Sequence, residues 1–305
     1  MAGRPLIAID WGTSSLRGAR LDAEGGVLEE RAATRGILSV PAGGFAAVFD
    51  ELFGDWMQAP AALALIAGMA GSRQGWIEAP YCPCPAGLAD VVARLAWVAP
   101  GRIAIVPGLS CERAGVPDVM RGEETQVFGA LHLLGIDAGT LVLPGTHSKW
   151  VRVEAGRIVD FATLMTGEFY ALLRRHSILA RTLPDDDDDD DDDDDGGFDA
   201  AAFDAGIAHA LRSPGLLQSA FSARTLALFD RQPLAQRPSY LSGLVIGEEL
   251  RTCALRGGEQ LVVIGTDALT QRYERALASL GLRVTAIGPP AAWRGVLEIA
   301  RRIEP

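Results

Sequence analysis

The sequence lacks long hydrophobic runs and has few cysteines, and each absence excludes a class of protein. No apolar stretch approaches the roughly 18 residues that a membrane-spanning helix needs, so we expect no membrane span. The first residues lead directly into an apolar strand-like run at Leu6, so we expect no signal peptide. The four cysteines form neither a disulfide framework nor paired half-sites at zinc spacing: Cys82, Cys84, Cys111 and Cys253. A cytoplasmic protein with free thiols is the expectation.

The chain also lacks an excess of basic charge. Its formal net charge is −11, but an unbroken run of 11 aspartates over residues 185–195 accounts for it, since the other residues include 28 acidic and 28 basic ones. A balanced charge gives no electrostatic footprint for nucleic acid or a membrane surface, so we expect neither as a partner. We expect the run to be a disordered, solvated loop, with calcium binding as the alternative.

What the sequence does contain is an apolar run that ends in a carboxylate and a glycine turn. Residues 6–9 are short enough for a buried strand, and Asp10 leads into a turn and then a second strand-like run that begins near Arg17. The turn is Gly12-Thr13-Ser14-Ser15. A carboxylate at the end of a strand places an oxygen ligand for a hydrated metal ion beside donors for phosphate oxygens. An ordinary hairpin is the alternative, and this stretch alone does not separate the two.

Apolar periodicity predicts a mixed α/β chain of about two domains. After three strands, the first part continues with a helix over 45–56, a strand over 63–67, a helix over 88–98 and a strand over 102–106. Residues 107–121 contain glycine and proline in a pattern typical of a loop. We place the crossing between domains there and predict domains over 1–110 and 111–305.

The pattern of the opening stretch returns about 130 residues later. Residues 140–143 form another short apolar run, followed by Pro144, a turn, two further strands and a helix over 166–180. The second turn is Gly145-Thr146-His147-Ser148. Strand, glycine-threonine turn, strand, glycine turn, strand and helix therefore occur twice, as a repeat of architecture rather than of residues. We expect two related α/β halves that each present a turn to a shared cleft.

Two such turns suit a nucleotide whose phosphates are held from both sides, because phosphoryl transfer requires mainly positioning and charge neutralisation. A third turn, Gly265-Thr266, follows a strand over 260–264 and precedes a helix, where a base and ribose could rest. A hydroxyl acceptor needs a carboxylate to take its proton, and the candidates are Glu123 and Glu124, with helix-dipole acids as the alternative. The cations near the proposed cleft that could bind an anionic substrate are Arg17, Arg73, Arg121 and Lys149.

These motifs together resemble a known family. Residues 9–15 are similar to the first phosphate motif of the sugar kinase/actin-like ATPase superfamily, and residues 143–150 to a variant second phosphate motif. Further similar segments are 68–76, 120–126 and 240–247. The combination resembles the 2-dehydro-3-deoxygalactonokinase family over nearly the whole chain, apart from the aspartate run.

The resemblance implies two ribonuclease H-like domains hinged about an ATP cleft. It implies an ATP- and Mg²⁺-dependent kinase that phosphorylates 2-dehydro-3-deoxy-D-galactonate to its 6-phosphate in D-galactonate breakdown. Asp10 would orient Mg²⁺, and the two glycine-threonine turns would hold the phosphates, with His147 either binding phosphate or capping its turn. An acid sugar would account for Arg121, or for Arg73 in a glycine-rich loop that also carries Trp76.

Two departures from the superfamily pattern leave questions open. Relatives carry an aspartate base in a Gly-Asp-Gln setting, where this chain has Gly122-Glu123-Glu124. Counting from the glycine favours Glu123 and counting back from Phe128 leans the other way, so both stay candidates. The adenosine motif often has two glycines, where this chain has Gly265-Thr266.

Two other functions fit parts of the sequence. A kinase of the same fold could act on another ketodeoxy acid or on a neutral sugar. An actin-like ATPase could serve as a switch without a small-molecule acceptor, although an arginine and a tryptophan in the glycine-rich loop over 68–76 favour a small polar substrate. The sequence leaves open the oligomeric state, with a homodimer as one alternative, and the stereochemical and nucleotide preferences.

Overall fold

The computed structural model describes residues 4–184, 197–253, 255 and 260–303. The aspartate run, predicted to be a disordered loop, lies outside the described residues. The chain divides into two compact units: unit 1 comprises Met1–Gly139, Val151–Ala162 and Pro289–Pro305, and unit 2 comprises Thr140–Trp150 and Thr163–Gly288. Both units are discontinuous in sequence, whereas the predicted domains over 1–110 and 111–305 are continuous. Those domain bounds stay a prediction.

Unit 1 is built on a mixed sheet. The strands of its first part are β1 (Leu6–Trp11), β2 (Leu16–Leu21), β3 (Val27–Ala33), β4 (Leu63–Gly68), β5 (Cys82–Pro83), β6 (Ala96–Ala99), β7 (Ile103–Ile105), β8 (Leu109–Arg113) and β9 (Val116–Met120). The helices are α1 (Phe45–Phe53), α2 (Leu88–Val92) and α3 (Glu123–Leu134). The main sheet has the order β3-β2-β1-β4-β7-β6, and β5, β8 and β9 form a smaller sheet.

The predicted opening hairpin is confirmed, and its register explains where the carboxylate lies. β1 and β2 are antiparallel, with Asp10 opposite Arg17, while β1 and β4 are parallel, with Trp11 beside Gly68. Ile7, Ile9 and Trp11 of β1 are fully buried in one core cluster with Phe49 and Phe53 of helix α1. The polar end of β1 therefore lies beside the end of β4, where parallel strands leave room for a site.

Two predictions for unit 1 are wrong. The helix predicted over 88–98 ends at Val92, and Ala96–Ala99 instead pairs antiparallel with β7. The loop predicted over 107–121 is a hairpin of β8 and β9, because Ala114 and Gly115 both adopt left-handed backbone angles (φ 51° and 79°) that suit a tight turn between strands. Glycine and proline in this stretch mark the turn and an edge strand rather than a continuous loop.

The second part of the chain repeats the strand order of the first. Its elements are β10 (Gly139–Leu143), β11 (Ser148–Glu154), β12 (Arg157–Leu164), α4 (Thr166–His176), α5 (Ala200–Arg212), α6 (Leu216–Ser219), α7 (Ser222–Leu228), α8 (Arg237–Thr252), β13 (Leu261–Ile264), α9 (Asp267–Ala278), β14 (Val284–Ile287) and α10 (Pro290–Ala300). The sheet order β12-β11-β10-β13-β14 matches β3-β2-β1-β4-β7, so the predicted architectural repeat is confirmed. Between α5 and α8 the chain forms two short helices, α6 and α7.

Close helix packing fixes the start of α3 in unit 1. A Cβ atom at Gly129 would lie 1.8 Å from the Ala291 carbonyl oxygen, and one at Gly295 would lie 1.8 Å from the Thr125 carbonyl oxygen. Only glycine allows α3 and α10 to approach this closely. The N-terminal turn of α3, which carries Glu123 and Glu124, is thereby held on the α10 scaffold.

Candidate active site

In unit 1, the Asp10 carboxylate is paired with an arginine across the hairpin. Arg17 donates from Nε and Nη2 to Asp10 Oδ2, at 3.1 and 2.9 Å. The Arg17 guanidinium also lies over the Trp293 ring, 5.5 Å from its centroid. The Asp10 side chain is 26% exposed, and Oδ1 points toward Gly68, where a Cβ atom would approach it to 3.2 Å. Arg17 therefore orients Asp10 through one oxygen.

The 12–15 turn is held by the chain that follows β3. Gly12 donates its N–H to the Ser15 carbonyl, while the carbonyls of Gly12, Thr13 and Ser14 accept hydrogen bonds from the segment over 36–38. A Cβ atom at Gly36 would lie 2.2 Å from the Thr13 carbonyl oxygen, so this contact requires glycine. The side chains of residues 13–15 are exposed. The carbonyls of the turn thus accept backbone hydrogen bonds within unit 1, while its hydroxyl groups face solvent.

Two glycines bring the start of α3 to the ends of β1 and β4. Gly68 (φ 88°) and Gly122 (φ 107°) both adopt backbone angles that disfavour other residues. A Cβ atom at Gly122 would lie 3.3 Å from the Gly68 Cα atom, and one at Gly68 would lie 2.7 Å from the Trp11 carbonyl oxygen. Asp10 and the first turn of α3 are therefore near neighbours within unit 1.

The two candidate bases occupy different environments. Glu123 accepts a hydrogen bond from the Arg121 N–H at 2.9 Å and is half-buried. Glu124 is fully buried, and its Oε2 accepts the Gly122 N–H at 2.7 Å. Burial, followed by the adjacent Glu123 carboxylate, raises the pKa of Glu124 to about 8. Within the described part of the chain, Oε1 of Glu124 has no hydrogen-bond partner.

Arg121 is the cation closest in sequence to these carboxylates, and its guanidinium is enclosed. Nη2 donates to the Ala79 carbonyl at 2.8 Å, and the guanidinium carbon lies 4.4 Å from the centroid of the Tyr81 ring. A Cβ atom at Gly71 would lie 2.8 Å from Nη1, so the guanidinium lies against the glycine-rich loop over 68–76. Among the residues that the structure describes, Nε and Nη1 find no hydrogen-bond acceptor.

The other residues predicted in this loop have different surroundings. The Arg73 side chain is 89% exposed and lies 3.5 Å from the Glu78 carboxylate. Trp76 packs against the rings of Trp11 and Phe49, with centroid distances of 6.2 and 5.5 Å. Trp76 therefore supports the core of unit 1, and Arg73 projects into solvent.

In unit 2, the 145–148 turn rests on the N-terminus of α4. The Gly167 and Glu168 N–H groups donate to the carbonyls of Gly145 and Thr146, at 3.2 and 3.0 Å. His147 Nε2 lies 2.6 Å from Glu168 Oε2, so His147 binds the same helix. The carbonyls of Gly145 and Thr146 thus accept hydrogen bonds from the protein backbone, as those of the 12–15 turn do.

Three further predicted residues lie near this turn. Lys149 is 5% exposed, and its Nζ donates to Thr163 Oγ1 at 2.7 Å, so it is a buried cation of unit 2 rather than a surface group. Gly265 donates its N–H to the Ile287 carbonyl at 3.1 Å, and Thr266 caps α9, its carbonyl accepting the Thr270 N–H at 2.9 Å.

A cavity of about 420 Å³ in unit 2 opens beside the 145–148 turn. Its lining includes Gly145 and Thr146, apolar side chains of α8 and α9, and three arginines: Arg174, Arg175 and Arg272. These arginines are not among the residues predicted from the sequence, although Arg174 and Arg175 lie within the helix predicted over 166–180. A separate cavity of about 650 Å³ near α6 has a largely apolar lining and contains no residue of either turn.

Among the described residues, no helix is long and apolar enough to cross a membrane. No three histidine, cysteine, aspartate or glutamate side chains of the described chain converge on a common metal position.

Comparison with known proteins agrees with the resemblance. A family model described as 2-keto-3-deoxy-galactonokinase matches residues 10–299. The chain is 36% identical over 301 residues to a Rhizobium meliloti (strain 1021) protein named probable 2-dehydro-3-deoxygalactonokinase, covering 97% of this chain and 96% of that protein. It is 35% identical over 300 residues to the 2-dehydro-3-deoxygalactonokinase of Escherichia coli (strain K12), covering 97% of this chain and 98% of that protein.

A solved structure supports the same assignment. The crystal structure of a candidate 2-dehydro-3-deoxygalactonokinase from Sinorhizobium meliloti aligns with a TM-score of 0.85 and 35% identity, covering 97% of this chain and 98% of that chain. The predicted fold class, an α/β protein of the sugar kinase/actin-like ATPase type, is confirmed, and so is the predicted enzyme class, a kinase. The chain belongs to the 2-keto-3-deoxy-galactonokinase family.

Proposed function

We propose that this chain transfers the γ-phosphoryl group of ATP to the 6-hydroxyl of 2-dehydro-3-deoxy-D-galactonate during D-galactonate breakdown. The observation that carries the proposal is the identity of 35–36% to two relatives named for this activity, over nearly the whole of both chains. The free cysteines and the use of ATP support a cytoplasmic location.

We assign the metal and phosphate roles in unit 1 to the end of β1. Asp10 offers one oxygen that Arg17 leaves unoccupied, and Mg²⁺ in kinases is commonly held by one or two carboxylates, with phosphate oxygens and water completing the shell. When bound, Mg²⁺ neutralises charge on the phosphate oxygens. The exposed hydroxyl groups of Thr13, Ser14 and Ser15 would donate to phosphate oxygens.

Glu123 is our choice for the general base. A base must reach the hydroxyl group that it deprotonates, and Glu124 is fully buried whereas Glu123 is partly exposed. Glu123 would accept the proton of the 6-hydroxyl group while the oxygen of that hydroxyl forms a bond to the γ-phosphorus. The bond from that phosphorus to the bridging oxygen breaks, and ADP leaves with the electron pair. The hydrogen bond from the Arg121 N–H orients the Glu123 carboxylate.

We propose that Arg121 binds the carboxylate of the sugar acid. Nε and Nη1 of this enclosed guanidinium find no acceptor among the described residues, which is costly unless an anion completes their hydrogen bonds. A carboxylate accepts from two guanidinium N–H groups at once, which a neutral sugar does not do. Arg73, at 89% exposure, lacks such an environment. The carboxylate of the sugar acid would thus be bound two residues from Glu123, the proposed base.

In unit 2, we propose that the cavity beside the 145–148 turn binds the nucleotide. Gly145 and Thr146 would contact phosphate oxygens, and the apolar side chains of α8 and α9 would contact the base. The arginines at the cavity would supply positive charge for the phosphates. Gly265 and Thr266 would support the ribose side from the start of α9.

One coupled assay tests the proposal. ADP release is measured with purified protein, MgATP and three acceptors: 2-dehydro-3-deoxy-D-galactonate, its C4 epimer and a neutral sugar of the same length. We expect acceptor-dependent turnover that is highest with the first acid and near background with the neutral sugar. Equal ADP release with and without every acceptor would refute the kinase proposal and favour an ATPase switch. Preference for the epimer would keep the kinase and change its substrate.

A further inference from the structure

A buried carboxylate in unit 2 that has no assigned role collects several hydrogen bonds. Glu249, near the end of α8, is 2% exposed. Its Oε1 accepts the indole N–H of Trp150 at 2.6 Å, and its Oε2 accepts the Tyr273 hydroxyl at 2.8 Å and also the Thr166 hydroxyl. Three donors from three different elements therefore converge on one side chain.

The partners of Glu249 are the residues that frame the 145–148 turn. Ser148 is the last residue of the turn, is fully buried, and lies 3.0 Å from the Tyr273 hydroxyl oxygen. Trp150 follows it in β11. Thr166 is the first residue of α4, whose next two N–H groups bind the carbonyls of the turn. Glu249 thus connects β11, which follows the turn, to the first residue of α4, on which the turn rests.

The same network reaches the cavity beside the turn. Tyr273 and Thr166 both line that cavity, whereas Glu249 does not. The Glu249 carboxylate accepts the hydroxyl hydrogens of both residues, while Glu249 itself lines the separate cavity of about 650 Å³ near α6. A shift of the carboxylate would therefore move the turn and the cavity lining together.

We propose that Glu249 is a positioning residue for the nucleotide, one that holds the 145–148 turn and the first turn of α4 in the geometry that phosphate oxygens require. This inference rests on the proposed function, because it assumes that the 145–148 turn binds the phosphates. Glu249 itself contacts neither substrate.

A carboxylate suits this position for a chemical reason. Both of its oxygens accept hydrogen bonds, and all three partner groups can donate. A glutamine that keeps its carbonyl oxygen on the Trp150 N–H directs its NH₂ group at the two hydroxyl groups, whose protons then lose their acceptor. In the opposite orientation the NH₂ group faces the indole N–H, and such an unsatisfied buried donor costs more than an ordinary hydrogen bond contributes. Glu249→Gln is therefore a nearly isosteric test.

The experiment compares Glu249→Gln with Glu248→Gln. Glu248 precedes it on the same helix but pairs with Arg251, at 2.6 Å, so it is the matched control. We expect Glu249→Gln to raise the KM for ATP by about 10-fold, because a lost charged hydrogen bond has roughly that effect. The KM for the sugar acid should stay within about twofold of wild type. The control should leave both constants unchanged. A general loss of folded protein would lower kcat without separating the two KM values.

A direct measurement separates this inference from the proposed function. The Kd of MgADP is determined by calorimetry for wild type, Glu249→Gln and Tyr273→Phe, together with the ¹⁵N–¹H signal of the Trp150 indole. We expect a shifted indole signal and an approximately 10-fold weaker Kd in Glu249→Gln, and a smaller loss in Tyr273→Phe. The double variant should lose less than the two single losses combined, because both act on one network.

Each outcome has a defined meaning. If wild type binds MgADP but phosphorylates no acid, the proposed function fails and the Kd values still test Glu249. An unchanged Kd in folded Glu249→Gln overturns the inference. If Glu249→Gln does not fold, an unchanged Kd in Tyr273→Phe overturns it instead. A wild-type protein that binds no nucleotide overturns both.

Discussion

Gly122 donates its N–H to the Glu124 carboxylate at 2.7 Å, and this hydrogen bond fixes a fully buried acid at the first turn of α3. The backbone donor and the positive end of the helix favour a charged carboxylate. Burial and the adjacent Glu123 oppose the charge, and together they raise the pKa of Glu124 to about 8. Glu124 therefore retains its proton at neutral pH.

Glu124 makes the stability of unit 1 depend on pH. The unfolded chain releases this proton at a pH near 4.3, whereas the folded chain retains it up to about 8, so stability falls as pH rises between these values. Glu124→Gln keeps an acceptor for the Gly122 N–H and removes the ionisation. Relative to wild type, the variant should gain about 3 kcal/mol in unfolding free energy between pH 5.5 and pH 8.5. Urea unfolding at both pH values measures it.

The control for this prediction is Glu112→Gln, which changes an exposed glutamate in β8. Its unfolding free energy should follow that of wild type at both pH values. A Glu124→Gln protein with the same pH dependence as wild type would show that Glu124 ionises normally.

The two glutamates should also differ in turnover. Glu123→Gln should lower kcat by about 10²- to 10⁴-fold, because a positioned base commonly contributes that much. Its KM for ATP should change little, since the nucleotide groups are untouched. Glu124→Gln should keep at least about a tenth of wild-type kcat. Steady-state kinetics with saturating MgATP gives both numbers, and equal losses in the two variants would contradict the assignment of the base.

How far the sequence predicted this region depends on the range of the interactions involved. The hairpin of β1 and β2 and its counterpart at β10 and β11 follow from local apolar runs and turn residues, and both are confirmed. The hairpin of β8 and β9 was missed because glycine and proline also occur in loops, and the antiparallel pairing that distinguishes it is a tertiary property.

The site required information that the sequence does not contain. Glu123 and Glu124 are adjacent and chemically identical, and only the packing of α3 on α10 buries one of them. Glu249 lies about 100 residues from Trp150 along the chain, so no spacing rule connects them. The pairing of Asp10 with Arg17 was within reach, because the predicted hairpin sets these residues opposite each other.

Arg121 should determine the affinity for the acid group. Arg121→Lys keeps the charge but loses the planar pair of donors that a carboxylate accepts. We expect the KM for the sugar acid to rise about 10- to 100-fold, with the KM for ATP within about twofold of wild type. Arg73→Lys is the control, because Arg73 is 89% exposed, and it should behave as wild type. Equal effects of the two substitutions on acid binding would refute the role of Arg121.

Gly36 tests whether the 12–15 turn contacts the phosphates. A Cβ atom at this position would lie 2.2 Å from the Thr13 carbonyl oxygen and 2.3 Å from the Ser14 nitrogen, so Gly36→Ala must displace the turn. The substitution should lower the unfolding free energy by about 1–3 kcal/mol, as overpacking does. It should also reduce kcat/KM for ATP at least about 10-fold, because the hydroxyl groups of the turn leave their positions.

Gly87→Ala provides the matched control for Gly36→Ala. Gly87 also lies in unit 1, and a Cβ atom there would come no closer than 3.5 Å to the Arg157 side chain, an ordinary contact. Its stability and kcat/KM should stay close to wild type in the same unfolding and kinetic measurements. If Gly36→Ala loses stability but keeps kcat/KM for ATP, the turn is displaced without consequence for the nucleotide. The phosphate contact would then have to come from other residues of unit 1.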